Sequence, residues 1–335
     1  MTNETPRLRF DVTTHDWVLF APARARRPHA SPTKTLHRDS TSECPFCPGH
    51  EHETPEEILR VPSVGGGEGW SVRVVPNKFP ALDRSASPEQ VEQAHVFREM
   101  GGYGAHEIVV ESPDHHVQLA QQPCEQVERV LCVIHERFES LAREPRLRMI
   151  VVFKNQGERA GASLTHPHWQ LLAAPLVPRL LRLKHDVATE YFDVTSKCVY
   201  CVTLAQELAA GERVLVSTDD YVVVSPYASQ VPYQLRILPR EHQSSFGRVA
   251  PARLGRLAEV LLEALVRLDR ALGAPPFNIT LGTAPVGDED EPYFHWHLDI
   301  LPRLTTPAGF ELGSGMAINP VLPEDAAREL RASTD

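Results

Sequence analysis

Ala162-Ser163-Leu164-Thr165-His166-Pro167-His168-Trp169-Gln170 is the stretch whose reading decides this chain. An apolar run, Met149-Ile150-Val151-Val152-Phe153, precedes it, and Leu171-Leu172-Ala173-Ala174 follows. Read as a strand, it points His166, His168 and Gln170 to one face, because side chains alternate with period 2. Trp169 then faces the opposite side and is expected in the core. Three aligned groups able to bind metal, attack phosphorus and donate a hydrogen bond make a candidate site; the competing reading is a polar edge-strand face.

Totals narrow the choices around it. The chain has 335 residues, enough for one large domain or two ordinary ones. Apolar residues at 42% and charged residues at 23% describe a globular protein with ample core. No apolar run approaches the roughly 20 residues of a membrane span. The Met1-Thr2-Asn3-Glu4-Thr5-Pro6 start lacks the basic end and apolar core of a signal peptide, so a cytoplasmic location is expected. A net charge of −10 argues against nonspecific nucleic-acid binding, which needs a basic face. It leaves room for a local basic loop such as Arg24-Ala25-Arg26-Arg27-Pro28.

Four of the six cysteines form two pairs, Cys44-Pro45-Phe46-Cys47 and Cys198-Val199-Tyr200-Cys201. In a reducing compartment, C-x2-C thiolates suit tetrahedral zinc better than disulfides. The redox reading of C-x-x-C expects a following helix, whereas Cys47 is followed by Pro48-Gly49-His50. Cys124 and Cys132 lie in an apparently helical segment and read as small core residues.

The two pairs begin two similar passages. The first predicts strands within 7–20, a loop over 21–43, strands at 70–75 and 106–111, a helix over 123–143 and a strand at 147–153. After a charged connector of some helical character at 178–197, the second predicts strands at 221–224 and 233–238, a helix near 251–272, and strands at 277–281 and 295–301. His115 precedes His166 by 51 residues, and His242 precedes His295 by 53. Matching order, type and length indicate a duplication. The fold class is therefore α+β: tandem halves, 1–185 and 186–335, each an antiparallel sheet with packed helices, joined as a pseudo-twofold unit.

Each half offers a Cys/Cys/His/His set: Cys44, Cys47, His115 and His166, then Cys198, Cys201, His242 and His295. Four N/S donors leave no open position, so structural zinc is expected in both. His116 is an alternative ligand to His115. If metal fixes His166, it also fixes His168 two residues on, and a neutral imidazole held rigidly is a good nucleophile towards a phosphoric anhydride. Gln170 can donate to a phosphate oxygen but cannot act as a general acid. The site therefore suits a leaving group that needs no proton, such as a sugar phosphate. Asn155, Gly157, Gly161 and Ser163 supply amides, a hydroxyl and flexible backbone for phosphate contact.

With Phe153-Lys154-Asn155-Gln156-Gly157 and Gly161-Ala162-Ser163 upstream, the His-x-His-x-Gln strand resembles the galactose-1-phosphate uridylyltransferase branch of the histidine-triad superfamily. Pro22 to Pro28, the first C-x2-C, Asn77-Lys78-Phe79-Pro80-Ala81, Ser112-Pro113-Asp114-His115 and the His295-Trp296 block match in order, over most of the chain. The resemblance implies ping-pong transfer of a nucleotidyl group from a nucleotide sugar, through a nucleotidyl-histidine, to a second phosphate acceptor. It puts the nucleophile on His168 and the phosphate-binding amide on Gln170. Nucleotide contacts fall on Arg24, Arg27, Asn77, Asn155, Gly161 and Ser163, and a sugar contact on Glu311. It also implies a homodimer acting on a nucleotide sugar with hexose 1-phosphate or inorganic phosphate. Uridylyl transfer is the leading expectation and phosphorolysis of ADP-glucose the alternative. A non-catalytic two-zinc protein and a nucleoside phosphate hydrolase are the competitors from other classes.

Three departures stand out. Trp169 replaces the family's usual glycine. The second half carries a full Cys/Cys/His/His set rather than a Glu- and His-rich iron site, as in the plant ADP-glucose phosphorylase-type members, although iron stays an alternative there. The lysine that accompanies the Glu311 position in the family is missing. His297 aligns with His168, yet its strand continues Leu298-Asp299 without the Asn/Ser cradle, so it reads as a relic of duplication.

Overall fold

The computed structural model describes residues 5–26, 41–63, 69–93 and 96–333. A hairpin of β1 (Arg7–Asp11) and β2 (Asp16–Phe20) opens the chain. Next come β3 (Leu59–Pro62), β4 (Trp70–Pro76), the small hairpin β5 (Gln90–Gln93) and β6 (Phe97–Met100), and β7 (Ala105–Val110). Helix α1 (Cys124–Ala142) leads to β8 (Met149–Gln156) and β9 (His168–Ala174). Helices α2 (Arg179–Thr195) and α3 (Val199–Ala210) connect to β10 (Val214–Ser217), β11 (Tyr221–Val224) and β12 (Leu235–Pro239). The chain ends with α4 (Leu254–Leu272), β13 (Phe277–Gly282), β14 (His297–Pro302), α5 (Gly309–Ser314), β15 (Ile318–Asn319) and α6 (Pro323–Ala332).

Ten strands form one sheet, ordered β10-β11-β12-β14-β13-β8-β9-β7-β4-β3, and every pairing in it is antiparallel. From the centre outwards the two halves read β8-β9-β7-β4-β3 and β13-β14-β12-β11-β10, the same order of chain ranks. The duplication expected from the sequence is therefore a pseudo-twofold sheet fused at the β8/β13 pair, where Asn155 lies opposite Asn278. Fusion gives each half's fourth strand a partner on both sides and leaves no open edge at the centre.

Strand alternation sorts the two faces. One carries Val152, Trp169, Leu171, Ile279 and Ile300, and α1 and α4 cover it in a single large core. The apolar stripes of α1 (Val127, Val130, Leu131, Ile134, Phe138) and α4 (Leu257, Leu261, Leu265, Leu268) recur at three- and four-residue steps and point into it. Trp169 is 1% exposed in this core, as its place in the alternation requires. The opposite face carries two small apolar clusters, one around Cys44, Phe46 and Cys47 and one around Cys198, Tyr200 and Phe294.

Several elements go beyond the sequence reading. The helical character expected at 178–197 is a regular helix, α2, closed by Ser196 in the left-handed conformation, and Cys198 is the N-cap of α3. The expected boundary at 185/186 thus falls inside a helix. The N-terminal hairpin also crosses to the other half: β2 pairs in parallel with β15, and Arg9 forms a two-pronged ion pair with Glu324. Strands β3 and β10, four residues each at the two sheet edges, are too short for their alternation to stand out.

Candidate active site and metal centres

The first cysteine pair sits on a tight loop in which the Cys47 amide donates to the Cys44 carbonyl at 3.2 Å. This folds both thiols towards the two histidines that leave the sheet nearby. The ligand atoms of Cys44, Cys47, His115 and His166 lie within 4.8 Å of one another, and all four residues are buried. Sulfur–nitrogen separations are 3.6 Å for Cys44–His166, 3.3 Å for Cys47–His115 and 3.6 Å for Cys47–His166. A tetrahedral zinc with ordinary bond lengths gives an S···N edge of about 3.5 Å, so the cage fits. His166 donates its Nε2–H to the Ser112 carbonyl at 2.8 Å, and His115 Nε2 meets Thr165 Oγ1 at 2.8 Å. Both rings thereby turn Nδ1 to the centre, the second-shell arrangement of a metal histidine. His116, the alternative ligand, is exposed and packs on His115 from outside. Burial and the neighbouring Cys44 push the Cys47 thiol up to about 11. Two thiols in one buried pocket ionise together only beside a cation, and the donor set calls for one.

The second set, Cys198, Cys201, His242 and His295, is equally close. Cys201 Sγ is 3.3 Å from His242 Nδ1 and 3.3 Å from His295 Nδ1. The Cys201 hydrogen bond, then those of His242 and His295, draw the Cys198 thiol down to about 3. The sets differ in their support. His242 is exposed, and the buried His295 Nε2 has no hydrogen-bond partner among the described residues.

His168 opens β9, and its Nδ1–H donates to the His166 carbonyl at 2.8 Å. A carbonyl can only accept, so the proton is on Nδ1 and Nε2 keeps its lone pair. Burial, with the Lys154 ammonium adding to it, holds the His168 pKa down at about 4, so the ring is neutral at pH 7. Phe46, between the two cysteines, sets its ring edge-on to His168 at 5.4 Å. The metal loop therefore braces the imidazole as well as its neighbour.

Gln170 lies on the same face, opposite Ile108 on one side and Phe153 on the other. Asn155 is one residue beyond the Lys154–Trp169 pair and so also faces His168's side. Gly157 and Gly161, both at φ +85°, shape the β8–β9 connection, a backbone region glycine enters without strain. Ser163 is exposed on that connection. Asn77, just past β4, reaches the His106 ring, whose Nε2 is 2.9 Å from Gln170 Oε1. Sequence reasoning missed His106 and Asn278, because each acts across the sheet and nothing local marks it.

Other expected residues sit apart. Arg24 lies half-buried on a short 3-10 turn (Pro22–Arg26), and no hydrogen bond among the described residues joins it to His168 or Gln170. Arg27 falls outside the described residues. Glu311 caps its own helix, accepting from the Ala308 amide at 3.1 Å, and no contact among the described residues joins it to His168.

The counterpart of His168 is closed. His297 is fully buried and donates Nδ1–H to the His295 carbonyl at 3.0 Å, repeating the His168 geometry. Its Nε2 has no hydrogen-bond partner among the described residues. Tyr200 stacks on the ring at 5.1 Å, and Asp299 is taken by Arg236 in a two-pronged pair at 2.7 and 3.0 Å. The His297 ring is thus enclosed by the protein's own side chains.

No helix among the described residues is long and apolar enough to cross a membrane. Residues 1–178 match the model for the galactose-1-phosphate uridyl transferase N-terminal domain, and residues 182–334 match that for its C-terminal domain. The chain is 36% identical to an ADP-glucose phosphorylase of Arabidopsis thaliana, covering 98% of this chain and 93% of that one. It is 29% identical to a galactose-1-phosphate uridylyltransferase of Thermotoga maritima, covering 97% of each. The crystal structure of an Arabidopsis thaliana ADP-glucose phosphorylase with bound ADP-glucose superposes with a TM-score of 0.84, at 35% identity over 98% of both chains.

Proposed function

The chain belongs to the galactose-1-phosphate uridylyltransferase family, and from that premise we propose that it is a nucleotidyltransferase working through a covalent nucleotidyl-His168. The observation that carries this reading is the His168 tautomer: Nδ1–H is committed to the His166 carbonyl, so Nε2 is the free nucleophile. Nε2 attacks the α-phosphorus of a nucleoside diphosphate hexose. The N–P bond forms as the bridging P–O bond breaks, and hexose 1-phosphate leaves as an anion that needs no proton. Gln170 and Asn155 donate amide hydrogens to the non-bridging oxygens, where negative charge builds. A second phosphate then attacks the phosphoramidate and regenerates neutral His168.

Arg24, Arg27, Asn77, Gly161 and Ser163 are proposed to hold the nucleotide, and Glu311 the hexose. Cys44, Cys47, His115 and His166 would hold one zinc, and Cys198, Cys201, His242 and His295 another. The role proposed for both is structural, and the first fixes the strand that carries His168. Halves meeting within α2, a homodimeric assembly and a cytoplasmic location complete the proposal.

Uridylyl transfer between UDP-glucose and a hexose 1-phosphate is the family reading. A second reading, phosphorolysis of ADP-glucose by inorganic phosphate, is favoured by the 36% identity to the phosphorylase against 29% to the uridylyltransferase. Incubation with UDP-glucose or ADP-glucose, followed by intact mass at neutral pH, separates them: a uridylyl or an adenylyl group is gained. His168→Ala should gain neither. A wild-type protein that binds zinc but takes no adduct from either sugar would leave the two-zinc binding reading in its place.

A further inference from the structure

A carboxamide presents an oxygen at one end and an NH2 at the other, and only its partners decide which end faces where. Both phosphate-facing amides of this site have their oxygens taken from behind. Asn155 Oδ1 accepts from Asn278 Nδ2 at 2.8 Å, and Gln170 Oε1 meets His106 Nε2 at 2.9 Å.

Neither orientation rests on a free choice. Asn278 Nδ2 also donates to the Ala160 carbonyl at 2.8 Å. A backbone carbonyl only accepts, so that end of Asn278 is the NH2, and the Asn155 atom it meets must be the oxygen. On the other side, the Ala81 amide donates to His106 Nδ1 at 3.2 Å. A backbone N–H only donates, so Nδ1 carries the lone pair, the neutral ring has its proton on Nε2, and the Gln170 atom it meets must be the oxygen. Asn77 steadies that ring: its Oδ1 accepts from the Phe79 amide, and its Nδ2 lies 3.4 and 3.2 Å from the two ring nitrogens.

We propose that Asn278 and His106 are positioning residues that lock the carboxamides of Asn155 and Gln170 so that both NH2 groups face the reacting phosphate. The inference rests on the nucleotidyl-transfer reading for what the amides address. Each relay starts at a backbone group and ends at a donor aimed into the site, so the donors are in place before charge develops. Asn278 belongs to the second half. The duplicated sheet thereby has a direct part in the chemistry of the first half: β13 delivers the residue that orients Asn155 across the central pair.

The test reverses the polarity of one positioning group and removes the donor of the other. Asn278→Asp replaces the donor with an acceptor facing Asn155 Oδ1, and His106→Phe removes the donor behind Gln170. In single-turnover nucleotidylation with UDP-glucose and ADP-glucose, each should slow adduct formation by about tenfold to hundredfold, with nucleotide affinity, metal content and thermal midpoint nearly unchanged. Combined with Asn155→Ala and Gln170→Ala respectively, each should add less than about twofold, because the group it orients is gone. Full additivity in both cycles would overturn the proposal. Crystal structures of wild type and Asn278→Asp give a readout independent of turnover: the Asn155 carboxamide should rotate by half a turn, seen from its new hydrogen-bond partners. If wild type forms no adduct, the nucleotidyl-transfer reading falls by itself. An Asn155 amide unmoved by Asn278→Asp overturns the relay whatever the activity.

Discussion

The His297 ring lies so close over Gly282 that a Cβ on that glycine would stand 2.4 Å from His297 Nε2. Gly282 and His297 are paired across β13 and β14. The equivalent pair in the first half is Asn155 and His168. The same rung of the two half-sheets therefore holds an amide beside an imidazole in one, and bare backbone under an imidazole in the other.

Gly282→Ala should destabilise the protein by about 1–3 kcal/mol, the usual cost of forcing an atom into a packed interior. His297 has nowhere to go, being fully buried and stacked on Tyr200. Adding His297→Ala should recover most of the loss in denaturant unfolding. Simple addition of the two losses would mean that the ring and the glycine are not in contact.

Trp169 fills the helix-side core, and its indole Nε1 has no hydrogen-bond partner among the described residues. Trp169→Phe should therefore cost little, below about 1.5 kcal/mol, whereas Trp169→Ala should cost about 3–5 kcal/mol through the cavity it leaves. Nucleotide affinity should not change with Trp169→Phe. A large change in affinity with stability intact would put this side chain on the site face.

Lys154 and Glu111 form an ion pair whose side chains are 1% and 0% exposed, and Gln122 also donates to the carboxylate. Lys154→Met strands a buried charge and should cost about 3–5 kcal/mol. The double change Lys154→Met with Glu111→Gln should be milder, because no unpaired charge stays behind. Equilibrium urea unfolding of the three variants checks this. A double variant as unstable as the sum of two singles would contradict it.

The two metal sets should release their ions unequally. His166 Nε2 is bonded to the Ser112 carbonyl, whereas His295 Nε2 has no hydrogen-bond partner among the described residues and His242 is exposed. Such second-shell support is worth about tenfold to hundredfold in affinity. Titration with a chelator, followed by metal analysis, should empty the second set first. Cys47→Ser should lose one metal together with adduct formation, and Cys201→Ser one metal with adduct formation retained. Equal release from both sets would refute the ranking.

Much of this site was legible without coordinates because its signals are local. Period-2 alternation put His168 and Gln170 on one face and Trp169 on the other, and a strand obeys that rule wherever it is placed. The C-x2-C pairs and the matched histidine intervals picked out both Cys/Cys/His/His groups that the fold brings together, since thiolate and imidazole donors at repeated spacing have few other uses. Less visible were the full extent of α2 and the start of α3. The charged residues of α2 obscure its apolar stripe, and Cys198 hides the N-cap of α3 at a position read only as a metal ligand.

What the sequence determined by itself is the chemistry on offer: a histidine proposed as nucleophile, an amide proposed to face phosphate, two Cys/Cys/His/His groups that could hold metal and a duplicated order of elements. What the tertiary structure decided is which side chains stand beside the histidine of each copy. The fusion of two half-sheets at β8 and β13 sets Asn278 against Asn155, and the β7–β9 pairing sets His106 against Gln170. Those contacts depend on lateral strand order and register between segments far apart in the chain. Local periodicity fixes which face a side chain takes, but not which strand comes to lie beside it.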